Sequence, residues 1–164
     1  MSLLPGRPRV LILAAAVATL AAVPQAVNAG DITAFVALPA PTNVWGRGYG
    51  ATLSSTWFQA VSLEGEAARL PGDSTEAAMT SFTGSALLAP PIGIVTPYGG
   101  LGIGLFRQTL GATSDTGTLK AFILGAKVKI GLVVVKGEYR RLTLSGNPLL
   151  PMTARISAGA GITF

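Results

Sequence analysis

From residue 31 onward, hydrophobic and polar positions alternate with a period of two, in stretches separated by turn-forming residues. The last stretch shows it most cleanly. Ala154, Ile156, Ala158, Ala160, Ile162 and Phe164 fall on one face, and Arg155, Ser157, Gly159, Gly161 and Thr163 on the other. Successive side chains of a β-strand point to opposite faces, so this split puts one face in an apolar medium and the other in a tight or polar one. Leu101, Ile103 and Leu105 oppose Gly100, Gly102 and Gly104 in the same way. Phe122, Leu124, Ala126, Val128 and Ile130 oppose Ala121, Ile123, Gly125, Lys127 and Lys129, and Val61, Leu63, Gly65 and Ala67 oppose Ser62, Glu64, Glu66 and Ala68. No stretch of useful length carries a helical period. The pattern predicts eight strands, near Asp31–Leu38, Gly48–Phe58, Val61–Leu70, Met79–Leu88, Thr96–Gln108, Leu119–Ile130, Leu132–Leu144 and Thr153–Phe164. Most are longer than the ~5–6 residues of strands in soluble proteins and match the ~9–11 of tilted membrane-crossing strands.

The second faces decide the class. In a soluble sandwich or barrel the charged face would be wet, and glycine would be scarce there because it weakens a strand and has nothing to solvate. Here glycine, serine and charge share one face. A closed barrel of eight strands accounts for this, since its narrow interior admits small residues and pairs the few large polar ones, while the apolar face meets lipid. The connections agree. Gln59-Ala60, Ala89–Gly93 and Gly131 are short, whereas Pro39–Arg47, Pro71–Ala78, Leu110–Thr118 and Ser145–Met152 are longer. Short and long connections alternate in this way in outer-membrane barrels, with tight periplasmic turns and longer external loops. An even strand number then puts both termini in the periplasm. Closure of the first strand on the last removes the unpaired edge that lipid does not tolerate.

The first thirty residues read differently. Arg7 and Arg9 precede an apolar run from Val10 to Val23, Pro24 ends it, and Val27-Asn28-Ala29 sets small residues at a cleavage site. This is the layout of a secretory signal peptide, and the run is shorter than the ~20 residues that cross a bilayer as helix. Residues 1–29 are expected to be removed, leaving 30–164 as one barrel domain.

Composition narrows the chemistry. The chain of 164 residues is 49% hydrophobic and 12% charged, with 21 Gly and neither Cys nor His. That excludes a Ser-His triad, a thiol nucleophile, a disulfide framework and a zinc site of the usual ligands. No cofactor, metal or catalytic group is expected. Gly100-x-Gly102-x-Gly104 lacks the helix that a dinucleotide fingerprint opens, so it reads as inner-face glycine. Bases spread over alternating strands of an exported chain argue against nucleic acid.

Pro97-Tyr98-Gly99-Gly100-Leu101-Gly102-Ile103-Gly104, Lys136-Gly137-Glu138-Tyr139-Arg140 and Ala158–Phe164 resemble segments of the small eight-stranded outer-membrane β-barrel proteins of Gram-negative bacteria, the OmpA/OmpX-type group. The resemblance covers residues 30–164 and speaks to architecture more than to function. It implies that Phe164, closing an alternating last strand, resembles the signal read by the barrel-assembly machinery. Barrel enzymes of this size that act on lipid A use a histidine, which this chain lacks.

Two sets of charges are candidates for function. Glu64, Glu66, Lys127, Lys129, Lys136, Glu138 and Arg140 fall on inward positions and are expected to form an ion-pair network in the lumen, because buried charges must be paired. A packed plug is the preferred reading, since side chains fill an eight-stranded bore. An ion or proton pathway is the alternative, and a catalytic carboxylate pair a poor third. Arg47, Arg69, Arg107, Lys120, Arg141 and Arg155 are expected at the external rim. There they could meet lipopolysaccharide phosphates, for which arginine is well suited, or snorkel at the interface without specificity. Trp45, Trp57, Phe58, Tyr98, Phe106, Tyr139 and Phe164 suit two aromatic girdles.

The expectation is therefore an integral outer-membrane barrel, monomeric and without enzymatic activity, with a structural or surface-interaction role. Its partners would be outer-membrane lipid, lipopolysaccharide among it, and the assembly machinery. A narrow pore for small solutes or ions is one alternative. A soluble periplasmic lipocalin-like binder is another, and it requires the opposite assignment of inside and outside.

Overall fold

A computed structural model describes residues 29–57, 60–72 and 76–164. Among them, eight antiparallel strands close into one barrel in chain order: β1 (Ala29–Ala40), β2 (Gly48–Trp57), β3 (Val61–Pro71), β4 (Ala77–Leu88), β5 (Val95–Leu110), β6 (Thr113–Ile130), β7 (Val133–Ser145) and β8 (Ala154–Thr163). Each strand pairs with its chain neighbours, and β1 closes on β8 from Asp31↔Thr163 to Ala40↔Ala154. Gly30 and Phe164 exchange backbone hydrogen bonds of 2.8 and 2.9 Å at the seam. The expected leader, residues 1–29, lies outside the described residues apart from Ala29, which opens β1.

Alternation sorts the wall into two faces. Leu101, Ile103, Leu105, Ile156 and Ile162 point outward and are between 57% and 72% exposed, whereas Glu64 and Lys136 point inward and are 6% and 4% exposed. A greasy exterior around paired charges is the arrangement of a barrel that stands in lipid, the reverse of a soluble binder. Inward glycines allow neighbouring strands to coil closely. A Cβ on Gly161 would fall on the Ile32 carbonyl oxygen, and one on Gly104 on that of Phe82.

The interior has two layers. At the end that carries the β1–β2, β3–β4, β5–β6 and β7–β8 connections, Trp45, Leu70, Met79, Phe106, Leu119 and Met152 pack together, each at most 4% exposed. Below them, toward the end that carries both termini, lies a layer of charged and hydroxyl side chains. Three expected girdle aromatics, Trp45, Tyr98 and Phe106, are therefore inside the barrel, while Trp57, Tyr139 and Phe164 are on its outer face. Phe58 and the expected Gln59 turn lie outside the described residues. The expected loop Leu110–Thr118 is mostly strand, because its alternation continues in register up to Leu110↔Thr113. The turn shrinks to Gly111-Ala112, with Gly111 in the left-handed region at φ +59, which glycine enters without steric cost. At the other end Gly131 does the same at φ +61, so Leu132 belongs to the turn rather than to β7.

The seam offers a direct check. Replacing Gly161 by Val should abolish the compact, heat-modifiable band in unheated detergent gels, because the new side chain displaces the β1 backbone. Gly137→Val should keep that band, since a Cβ on this outward glycine meets nothing within 4 Å.

Candidate functional site

The charged layer is built from strands that face one another across the bore. β3 contributes Glu64 and Glu66, and β1 contributes Asp31. β6, β7 and β8 contribute Lys127, Lys136, Arg140 and Arg155, with Glu138 between the two β7 cations. Alternation alone puts these residues inside, and the pairing register sets their heights. It also places like charges side by side: Lys127 opposite Lys136, and Arg140 opposite Arg155. Like charges directly across a strand pair destabilise it unless each finds an acid, and here each does.

Arg140 is the hub. Its guanidinium bonds Glu64 at 2.5 Å, Glu66 at 3.0 Å and the carboxylate of Glu138. Lys136 donates to Glu64 at 2.8 Å and lies 3.7 Å from Glu138, and Arg155 reaches Glu66 at 2.5 Å. The Tyr98 hydroxyl donates to Glu138 at 3.0 Å. Lys127 and Asp31 form a separate pair at 2.8 Å, and the Thr33 and Thr52 hydroxyls share a 2.6 Å hydrogen bond beside them. Four acids thus meet four cations, all at most 7% exposed.

The carboxylates of Glu64, Glu66 and Glu138 converge to within 4.8 Å of one another, a spacing that suits a metal ion. The Arg140 guanidinium bonds to all three. A metal would have to displace a buried cation that already neutralises the cluster, so the residues do not fit a metal centre. A hollow beside the network, about 10 Å³ and lined by Asp31, Ser54, Tyr98 and Lys127 among others, has room for about one water molecule.

The expected lumen set is brought together except for Lys129. That side chain is half-buried near the terminal end of β6 and donates to the Thr163 hydroxyl at 3.3 Å. It points inward as expected but lies beyond the layer of acids, and Asp31 is already taken by Lys127. The expected rim set needs one correction. Arg155 is 2% exposed inside the barrel, not at the rim. It runs over the Phe35 ring, 5.1 Å from the centroid, to Glu66. Its place on the inward parity of β8, with Ser157 and Gly159, outweighs its position at the strand start. Arg47, Arg69, Arg107, Lys120 and Arg141 are exposed on the outer surface, but Lys120 stands mid-strand opposite Ile103 rather than at a strand start, because β6 begins at Thr113. Arg69 and Arg107 share one row through Thr80, about 10 Å apart by strand spacing. Lys120 and Arg141 are diagonal neighbours across β6 and β7.

Three members were missed in the sequence: Asp31, Tyr98 and Gln108. The signal was present, because the parity that sends Ile32 and Val36 outward sends Asp31 inward, and Gly100 and Gly102 predict the same side for Tyr98 and Gln108. Gln108 closes the upper layer. Its amide nitrogen donates to the Leu150 carbonyl at 2.9 Å and its oxygen accepts from the Leu150 N–H at 3.0 Å. Trp45 Nε1 donates to the Pro151 carbonyl at 2.9 Å. The segment between β7 and β8 is thereby held in the mouth, with its own Met152 buried.

Comparison with solved structures identifies this architecture. Neisserial surface protein A superposes with a TM-score of 0.60 at 14% identity, over 82% of this chain and 93% of that one. The N-terminal barrel domain of Pseudomonas aeruginosa OprF gives 0.55 at 17% identity, over 85% and 100%. The attachment invasion locus protein Ail of Yersinia pestis gives 0.50 at 16% identity, over 83% and 95%, and its backbone has also been determined in a phospholipid bilayer nanodisc. No family model matches the chain, and no curated protein does. The likeness is one of fold: a closed, eight-stranded, antiparallel, transmembrane β-barrel of the small outer-membrane type.

The network makes a quantitative prediction. Arg140→Met leaves three buried carboxylates without their shared partner and should lower unfolding stability in lipid vesicles by about 3–5 kcal/mol. Denaturant titration followed by tryptophan fluorescence measures it. A loss below about 1 kcal/mol would mean that the acids are neutral or wet rather than ion-paired.

Proposed function

We propose that the protein is an integral outer-membrane barrel with a structural and surface-interaction role, a plugged lumen and no catalysis. The observation that carries this reading is the filling of the bore. Its charged layer is balanced, four acids to four cations, and its mouth is packed with Trp45, Phe106 and Met152 under a loop that Gln108 pins. A conducting path needs mobile water along its length, and a catalytic site needs a cleft that admits substrate. Paired carboxylates hold their protons' places with fixed cations and are poorly placed for general acid–base work. Signal-peptide removal, periplasmic termini and recognition of the Phe164 strand by the assembly machinery belong to the same reading. The longer connections then lie outside the cell, and the protein acts as a monomer.

The outer surface adds the partner. Arg69, Arg107 and Arg141 stand on the outward face toward the loop end, with Lys120 lower on β6 opposite Ile103, while Asp31, Glu64, Glu66 and Glu138 all point inward. Such a belt of cations suits a leaflet rich in phosphate, that of lipopolysaccharide, where bidentate arginine binds well.

Two measurements test these statements. In planar bilayers the purified protein should give no steady open-state current, and a stable open level would overturn the plugged lumen in favour of a narrow pore. Arg69→Gln combined with Arg107→Gln should reduce the lipopolysaccharide retained through detergent purification several-fold. Undiminished retention would leave those side chains as interfacial anchors without lipid specificity.

A further inference from the structure

On the outer face near the end that carries the termini, β2 to β5 enclose a hollow of about 810 Å³, a size within the ~300–1,000 Å³ of ligand sites. Missing side chains make it. Gly65 and Gly84 stand directly opposite each other on β3 and β4, and a Cβ on either would meet nothing within 4 Å. In the same row Leu53 on β2 and Ile103 on β5 rise on the two sides. The result is an apolar trough along the strands, at acyl-chain depth in a wall whose other outward positions are mostly filled by Leu, Ile, Val and Phe.

Its terminal end is not apolar. Ser55 Oγ and Trp57 Nε1, both on residues that line the hollow, are buried and have no hydrogen-bond partner among the described residues. Hydrocarbon cannot satisfy them, and an unpaired buried donor is costly. Charge is absent from the outward side chains of the trough. The nearest outward cation is Lys120 on β6, directly opposite Ile103 in the same row, whereas Arg69 and Arg107 lie four residues further toward the loop end on β3 and β5, about 13 Å away by strand rise.

We propose that this hollow binds one glycerophospholipid. An acyl chain lies over Gly65 and Gly84 between Leu53 and Ile103, and an ester carbonyl accepts from the Trp57 indole N–H and the Ser55 hydroxyl. An ester carbonyl is the acceptor that a membrane supplies at the boundary between chain and headgroup, the level where tryptophan settles. Lipid A is disfavoured because the hollow lies toward the end that carries the termini, away from the Arg69 and Arg107 side chains assigned above to its phosphates. A second barrel is disfavoured because an aliphatic outer wall accepts no hydrogen bond from Ser55 or Trp57.

Native mass spectrometry of the full barrel in dodecyl maltoside, with palmitoyl-oleoyl phosphatidylethanolamine added, tests this. The wild type should hold one lipid. Gly65→Leu with Gly84→Leu fills the trough and should lower that occupancy at least tenfold, whereas Gly137→Leu, an outward glycine on β7 with equally open space, should leave it unchanged. Ser55→Ala with Trp57→Phe keeps the trough open and should lower occupancy several-fold, so the proposal stays testable if the double leucine variant does not fold. Equal lipid binding by wild type and either double variant overturns the proposal. So does an absence of bound lipid, preferential binding when purified lipid A is added instead, or a dimer in place of the lipid adduct.

Discussion

Charge placed inside a lipid-embedded barrel has nowhere to go but onto opposite charge in the same bore. Glu64 and Glu66 hang from β3, and the cations they meet hang from β7 and β8 on the other side. These bonds run across the lumen rather than along the wall, so they tie together strands that share no backbone ladder. Arg140 is central because one planar guanidinium donates to Glu64 and Glu138 while lying against Glu66, a spread of fixed donors that a point-charge ammonium lacks. Desolvating eight charges is expensive, and such clusters are often no more stabilising than an apolar core of equal volume. Their consequence is specificity. A strand slipped by one residue would send Lys136, Glu138 and Arg140 into hydrocarbon, and the pairing therefore selects one register.

The same logic explains why the interior is layered. A bore filled only with ion pairs would expose its ends to water and loosen there. The upper layer of Trp45, Leu70, Met79, Phe106 and Leu119 keeps water from the pairs on the loop side, and low local polarity strengthens each remaining bond. Gln108 joins the two chemistries. It is fully buried, sits on an inward position of β5, and spends both ends of its amide on the backbone of Leu150. One polar side chain thus converts a surface loop into part of the core.

Much of this architecture was legible along the chain because alternation is a one-bit signal that repeats. Strand number, closure and the inward placement of Glu64, Glu66, Lys136, Glu138 and Arg140 need no more than parity and turn residues. Where position along a strand and parity point to different faces, parity decides. Arg155 was expected at the rim for standing at a strand start, although Ser157 and Gly159 on the same side already marked its face as inward. Tyr98 and Phe106 were expected in girdles for lying near strand ends, although Gly100, Gly102 and Gly104 marked theirs. Other features had no local signal. Trp45 precedes β2 in an irregular segment, and its burial depends on the Pro151 carbonyl more than a hundred residues away. The Leu110–Thr118 stretch reads as a loop because Thr, Ser, Asp and Gly dominate it, yet polar alternation forms strands once lipid no longer demands an apolar face.

Parity also accounts for how the charges are divided between the two faces. The outward arginines lie toward the loop end of their strands, and the inward charges sit further toward the termini. An outward charge is tolerable only where a long side chain can reach the headgroups, so height on the barrel filters which outward positions can carry one. An inward charge is limited instead by the supply of partners. The four acids of the charged layer use up its four cations, and Lys129 falls back on a threonine hydroxyl near the terminal mouth. Two independent rules, reach outside and neutrality inside, thus place charges that share one alternating pattern.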